Sequence, residues 1–72
     1  MKNFPTWQKP SGAPVSCVEK IKVLNENFAE LRHLSQELLD DALLMGCSEQ
    51  QVRQILHQML DELKSSFEEI PE

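Results

Sequence analysis

The chain has 72 residues, of which 12 are acidic and 7 are basic, so its formal net charge is −5. A chain of this length buries only about 60% of its unfolded surface, and it needs disulfides, a metal or a second subunit to be stable. Two cysteines are too few for a disulfide framework, and the cysteines and histidines lack the spacing of a zinc site. These exclusions leave a second protein subunit as the expected stabiliser. The acidic balance argues against nucleic acid and anionic membranes as partners.

The sequence also lacks the usual marks of export, membrane insertion and catalysis. Its first residues contain no apolar run of the secretory type, and no apolar stretch is long enough to span a bilayer. It contains no glycine-rich phosphate loop. We therefore expect a cytoplasmic, non-enzymatic protein with free thiols, without a cofactor and without membrane association.

Residues 1–15 are predicted to form an extended N-terminal arm. Three prolines and the pair Ser11-Gly12 exclude a regular helix there and favour extended or turn conformations. The arm also contains Phe4 and Trp7, and a disordered tail rarely carries aromatic residues. Two interpretations stay open: the aromatic side chains fold back onto the helices, or they form a short linear motif that docks into another protein.

A first helix is predicted over residues 17–45, approximately. Ser16 followed by Glu19 has the spacing of a capping box, and no proline or glycine interrupts the stretch that follows. Apolar residues recur at helical spacing along one face, while the opposite line is polar throughout. The apolar face consists of Cys17, Ile21, Leu24, Phe28, Leu31, Leu38, Ala42 and Met45, with Ser35 as its single polar member.

A tight reversal and a second helix follow. Gly46 can adopt the left-handed conformation that closes a helix, and Ser48 with Gln51 forms another capping box. This predicts a turn at 46–48 and a helix over about 49–69. Its apolar face consists of Val52, Ile55, Leu56, Met59, Leu60, Leu63, Phe67 and Ile70. Residues 16–72 are therefore predicted to form an antiparallel helical hairpin, and the fold class is all-α.

The apolar stripes are wider than one helix–helix contact can cover. Stripes of this width belong to bundles and globular cores, and burying one large aliphatic side chain is worth about 1.5–3 kcal/mol. A lone hairpin is expected to expose Leu34, Leu39, Ile55, Leu60 and Phe67. We expect two copies to associate into a four-helix bundle, and the alternative is that a different protein covers the stripe.

The predicted function is that of a homodimeric interaction module, an adaptor or regulator of another protein. Leu43 and Leu44 lie off the main stripe beside Met45, and with it they form a candidate contact patch at the reversal. Phe4 and Trp7 of the arm are the other candidate contacts. Scattered apolar residues are also common on protein surfaces without any function.

Two alternative functions remain. Cys17 and Cys47 each lie near a predicted helix N-terminus, where a thiol pKa falls, so they are candidate reactive thiols of a redox sensor. An antiparallel dimer would bring Cys17 of one chain near Cys47 of the other. The second alternative is an RNA-binding bundle that uses Lys20, Lys22, Arg32 and Arg53.

A metal site is not expected. Glu30 and His33 have the Glu-x-x-His spacing of di-iron bundles, whose ligands point inward. Here His33 lies on the most polar line of the first helix, and the motif occurs once.

Overall fold

The computed structural model describes residues 3–70. It contains two helices, α1 (Val18–Leu44) and α2 (Glu49–Glu62), and these residues include no strand. This all-α arrangement is consistent with the predicted helical hairpin. The chain divides within α1 into two compact units. We call residues 3–31 with 67–70 the arm unit and residues 32–66 the turn unit.

The reversal between the helices is a Schellman motif. Gly46 has φ +91°, in the left-handed region that only glycine enters without strain. The Cys47 N–H donates to the Ala42 carbonyl at 2.8 Å, and the Gly46 N–H donates to the Leu43 carbonyl at 3.1 Å. These two bonds satisfy carbonyls that the end of α1 would otherwise leave without a partner. The predicted role of Gly46 is confirmed.

Ser48 caps α2 as predicted. Its backbone is extended, with φ −74° and ψ 130°, and its hydroxyl oxygen accepts a hydrogen bond from the Gln51 N–H at 3.3 Å. The Val52 N–H donates to the Ser48 carbonyl at 3.1 Å, which is the first hydrogen bond of the helix. The side chain and the carbonyl of one residue thus fix where α2 begins.

The N-terminal cap of α1 lies at Cys17, one residue after the predicted Ser16. The first backbone hydrogen bond of α1 joins the Ile21 N–H to the Cys17 carbonyl at 3.0 Å, so Cys17 holds the cap position. The Val15 N–H donates to the Trp7 carbonyl at 2.8 Å. Because this bond ties the chain just before Ser16 to the arm, the helix begins only beyond it.

The second helix is shorter than predicted, since it ends at Glu62 and not near residue 69. Leu63 leaves the helical conformation with φ −68° and ψ 137°, and its N–H closes the last turn on the Leu60 carbonyl at 3.3 Å. Every described side chain beyond Glu62 is exposed, so burial does not offset the entropy cost of extending the helix. Ser65 and Ser66 add a local bias, because serine competes for backbone hydrogen bonds within a helix.

The arm contains a tight turn, so it is not extended throughout. The Gly12 N–H donates to the Lys9 carbonyl at 2.9 Å, and the Lys9 N–H donates to the Ala13 carbonyl at 2.8 Å. Gln8 and Pro14 pair in an isolated antiparallel bridge, and Gly12 has φ +95°. A glycine with positive φ after a proline-containing turn is typical of a three-residue hairpin loop.

The buried core is small. Among residues 3–70, only Ala42 and Val52 are buried, and both belong to the turn unit. Half-buried side chains occur in both units. In the turn unit they are Ser35, Leu39 and Leu56. In the arm unit they are Trp7, Val15, Ile21, Asn25, Phe28 and Ala29. Leu39 was expected to be exposed, and its half-buried state shows that it lies on the side of α1 that carries Ala42.

Replacing Gly46 with alanine should lower the free energy of unfolding by about 1 kcal/mol, because an L-residue is strained at φ +91°. A Cβ built at this position meets no atom within 4 Å, so the loss is backbone strain without a steric clash. Urea denaturation followed by circular dichroism measures it. D-alanine at position 46, introduced by chemical synthesis, is the control and should not lower the stability, because a D-residue adopts this φ without strain. An equal loss with both isomers would contradict the explanation.

Candidate functional site

The arm aromatic residues contact α1 within the arm unit. The Trp7 indole N–H donates to the Asn25 side-chain oxygen at 2.7 Å. The Trp7 and Phe28 rings meet edge to face, with their centroids 6.0 Å apart and their planes at 86°. Phe4 meets the same Phe28 ring at 6.5 Å and 62°. Phe28 therefore anchors both arm aromatics, and the indole has its hydrogen-bond partner in the same contact.

This geometry matches the interpretation in which the aromatic side chains fold back onto the helices. Trp7 is half-buried, whereas Phe4 is 38% exposed. Near the start of α1, Ile21 is half-buried, whereas Val18 remains exposed. A contact of Phe4 or Trp7 with another protein stays a prediction, and it would compete with the contacts to Phe28 and Asn25.

In the arm unit, residues 68–70 and the arm line the same shallow groove. Lys9, Pro10, Val15 and Lys20 line it together with Glu68, Glu69 and Ile70. Two cationic and two anionic side chains thus border one groove. Their opposite charges favour this placement of the segment, although each exposed pair contributes at most about 1 kcal/mol.

The candidate patch at the reversal is open to solvent. Leu44 and Met45 are 87% and 81% exposed, and Leu43 is exposed to a smaller extent. Asp40, Leu43 and Leu44 line a shallow groove at this end of α1. Its three apolar residues, Leu43, Leu44 and Met45, form what we call the tip patch. Such a group at one end of a helix is available for contact with another protein.

A second set of apolar side chains is exposed along the helices of the turn unit. Leu34 and Leu38 on α1, and Ile55 and Met59 on α2, all expose a large part of their surface. The sequence pattern predicted the exposure of Leu34 and Ile55. It missed Leu38 and Met59, because the stripe alone does not show which of its members face the other helix.

The charged side chains of the turn unit form pairs within one helix. The Arg53 Nε donates to a Glu49 carboxylate oxygen at 3.0 Å, four residues away. The local pair needs no contact between helices, because residues four apart are neighbours on a helix surface.

His33 lies on an exposed face of α1, next to Glu37. The His33 Nε2 lies 2.9 Å from a carboxylate oxygen of Glu37, on the exposed side of α1. Within residues 3–70, no group of three or more His, Cys, Asp or Glu side chains is arranged to hold a metal ion. The Glu-x-x-His spacing is therefore part of a solvated helix face.

Both cysteines are free and exposed. Cys17 belongs to the arm unit and Cys47 to the turn unit, at opposite ends of α1.

Both thiols are expected to react fully with a small aromatic disulfide reagent in the native protein, at rates close to those in denaturant. The absorbance of the aromatic thiolate that the reagent releases gives the number of thiols that have reacted. A thiol that reacts only after unfolding would show that association or folding covers it.

Comparison with known proteins identifies no family model, curated protein or solved structure that matches this chain. Within the described residues, neither helix combines the length and apolar character needed to cross a bilayer.

Proposed function

We propose that this protein is a small non-enzymatic interaction module, an adaptor or regulator in the cytoplasm, that acts as a homodimer. The observation that carries the proposal is the mismatch between its apolar side chains and its buried core. Only Ala42 and Val52 are buried among residues 3–70, whereas sixteen large apolar residues are exposed. A stable soluble protein rarely leaves so much apolar surface in water.

The tip patch is the proposed contact with that other protein. Leu44 and Met45 belong to the most exposed apolar side chains of the chain, and they lie at the end of a helix. The arm aromatics are less available, because Trp7 and Phe4 already contact Phe28.

Light scattering coupled to size separation, over a wide range of protein concentrations, tests the homodimer. We expect a mass of twice the 8.3 kDa subunit that falls toward one subunit only on strong dilution. A mass of one subunit at every concentration, with cooperative unfolding, would overturn the proposal. The redox alternative has its own observable, a disulfide-linked dimer on non-reducing gels after mild oxidation.

A further inference from the structure

We propose that the tip patch binds a basic amphipathic segment of another protein, in which lysine or arginine side chains accompany apolar ones. This inference rests on the proposed function, because it specifies the chemistry of the partner that the proposed function assigns to the tip patch. Negative charge next to the patch is the feature that selects such a partner.

Two carboxylates lie one helical turn before the tip patch. Asp40 precedes Leu43 and Leu44 by three and four residues, and these three residues line one shallow groove. Asp41 precedes Leu44 and Met45 by the same spacings, and the Met45 N–H donates to the Asp41 carbonyl at 3.0 Å. Residues three and four apart are neighbours on a helix surface. The apolar patch and the two carboxylates therefore form one continuous surface at the end of α1.

The charge of Asp40 and Asp41 is not balanced by a nearby cation. Residues 34–52 contain four acidic residues and no lysine, arginine or histidine. The bases on either side of this stretch, His33 and Arg53, pair with glutamates of their own helices, and no ion pair within residues 3–70 includes either aspartate. A cation that neutralises the two aspartates must therefore come from a binding partner.

The position of the two aspartates on α1 makes their charge unfavourable in the free protein. The C-terminal end of a helix carries a negative partial charge, and the last turn of α1 has no basic residue to offset it. The positive end of α2 follows in the chain, but Glu49 already lies in its first turn. A cationic partner would relieve this repulsion, so its binding gains more from these two carboxylates than from carboxylates that are already paired.

The same charges disfavour other occupants of the tip patch. Two copies that met tip to tip would bring four aspartates together, and like charges across an interface oppose association. Nucleic acid and anionic membranes carry the same sign of charge as the patch. A basic amphipathic segment satisfies both features of the surface, because its apolar side chains cover the patch while its cations reach the carboxylates.

The C-terminal end of α2 provides a matched comparison. Asp61 and Glu62 are adjacent acidic residues in its last turn, and Leu60 and Leu63 beside them are exposed. Lys64 follows Asp61 by three residues, so a cation of the same chain accompanies these acids. We therefore expect this end to attract a basic segment less strongly than the tip does.

The test adds a synthetic helical peptide, with leucines on one face and lysines on the other, to the full chain. One variant combines Asp40→Asn with Asp41→Asn, and asparagine keeps the oxygen that accepts the hydrogen bond from the Gln36 side chain at 3.0 Å. We expect the peptide dissociation constant to rise roughly three- to tenfold at low salt, because two charge pairs are lost. Asp61→Asn combined with Glu62→Gln should change it less than twofold. Calorimetric titration measures each constant.

Thermal unfolding separates a lost contact from a lost fold. Both double variants remove two negative charges from the C-terminal end of a helix, so each should raise the melting temperature by a few degrees. A tip variant that is more stable and yet binds the peptide more weakly cannot owe its weaker binding to misfolding. Leu44→Ser tests the apolar part of the contact and should weaken binding at every salt concentration. A peptide with glutamate in place of each lysine should not bind.

The possible outcomes separate this inference from the proposed function. Equal peptide affinity of the native chain and the Asp40→Asn, Asp41→Asn variant, or a greater loss with the α2 variant, would overturn the inference and leave the homodimer standing. A native chain that assembles into ever larger species, which the tip substitutions disperse, would make a second copy the occupant and also overturn it. A native chain that is monomeric at every concentration and binds the peptide through the tip would overturn the homodimer and leave this contact standing.

Discussion

Replacing Val52 with aspartate is expected to remove a large part of the stability of the turn unit, which lowers the midpoint of chemical denaturation followed by circular dichroism. Val52 is 5% exposed and is one of two buried side chains among the described residues. The substitution removes its apolar contact and places an unpaired carboxylate in the same space, at a cost of about 3–5 kcal/mol. A chain of this length has roughly 4–11 kcal/mol of stability in total, so the loss removes a large part of it.

Gln54→Asp is the matched control, because it introduces the same side chain two residues further along α2 at an exposed position. It should change the free energy of unfolding by about 0.5 kcal/mol or less. Chemical denaturation of both variants gives the comparison. If Val52→Asp and Gln54→Asp were equally stable, the buried contact of Val52 would contribute nothing, and the packing of the turn unit would have to be revised.

Replacing Phe28 with alanine is expected to release the arm, at a cost of about 2–3 kcal/mol. Phe28 is the ring that both Phe4 and Trp7 contact edge to face, and each such contact is worth about 0.5–1.5 kcal/mol beyond the buried area. Trp7 is the single tryptophan of the chain, so its fluorescence reports on the arm directly. The emission maximum should shift to longer wavelength, and acrylamide should quench it more strongly.

Val23→Ala is the control for this prediction. Val23 is exposed in the same unit, and it lies on a different side of α1 from Asn25 and Phe28 at about 100° per residue. The tryptophan emission of the Val23→Ala variant should match that of the unchanged chain. A Phe28→Ala variant whose emission also stays unchanged would mean that the arm holds its position through the hydrogen bond between Trp7 and Asn25 alone.

The same experiment bears on the arm as a contact for another protein. The contacts of Trp7 with Phe28 and Asn25 must break before a partner can bind the indole face that they cover. A partner that binds the arm should therefore bind Phe28→Ala more tightly than the native chain, because the variant removes the competing contact. A partner that binds the tip patch should bind the Phe28→Ala variant and the native chain with the same affinity.

The sequence by itself determined the features that depend on near neighbours. Gly46 closes α1 and Ser48 opens α2 as expected, because both caps are hydrogen bonds between residues at most five apart. The same holds for the existence of the two helices, whose apolar residues recur at helical spacing. The sequence indicated an extended arm with turn-forming residues, but not the tight turn that the hydrogen bonds of Lys9, Gly12 and Ala13 close.

The tertiary structure decided the features that depend on burial. The apolar spacing of Leu63, Phe67 and Ile70 is helical, yet α2 ends at Glu62, because these side chains stay exposed and their burial cannot offset the cost of ordering the segment. The place of Trp7 was equally undetermined, since its partner Asn25 lies 18 residues away. Which side of each helix faces the other also required the structure. An apolar stripe covers a wide part of the helix surface, so the sequence does not tell which of its residues face the other helix. The burial of Ala42 and Val52 identifies that side of each helix.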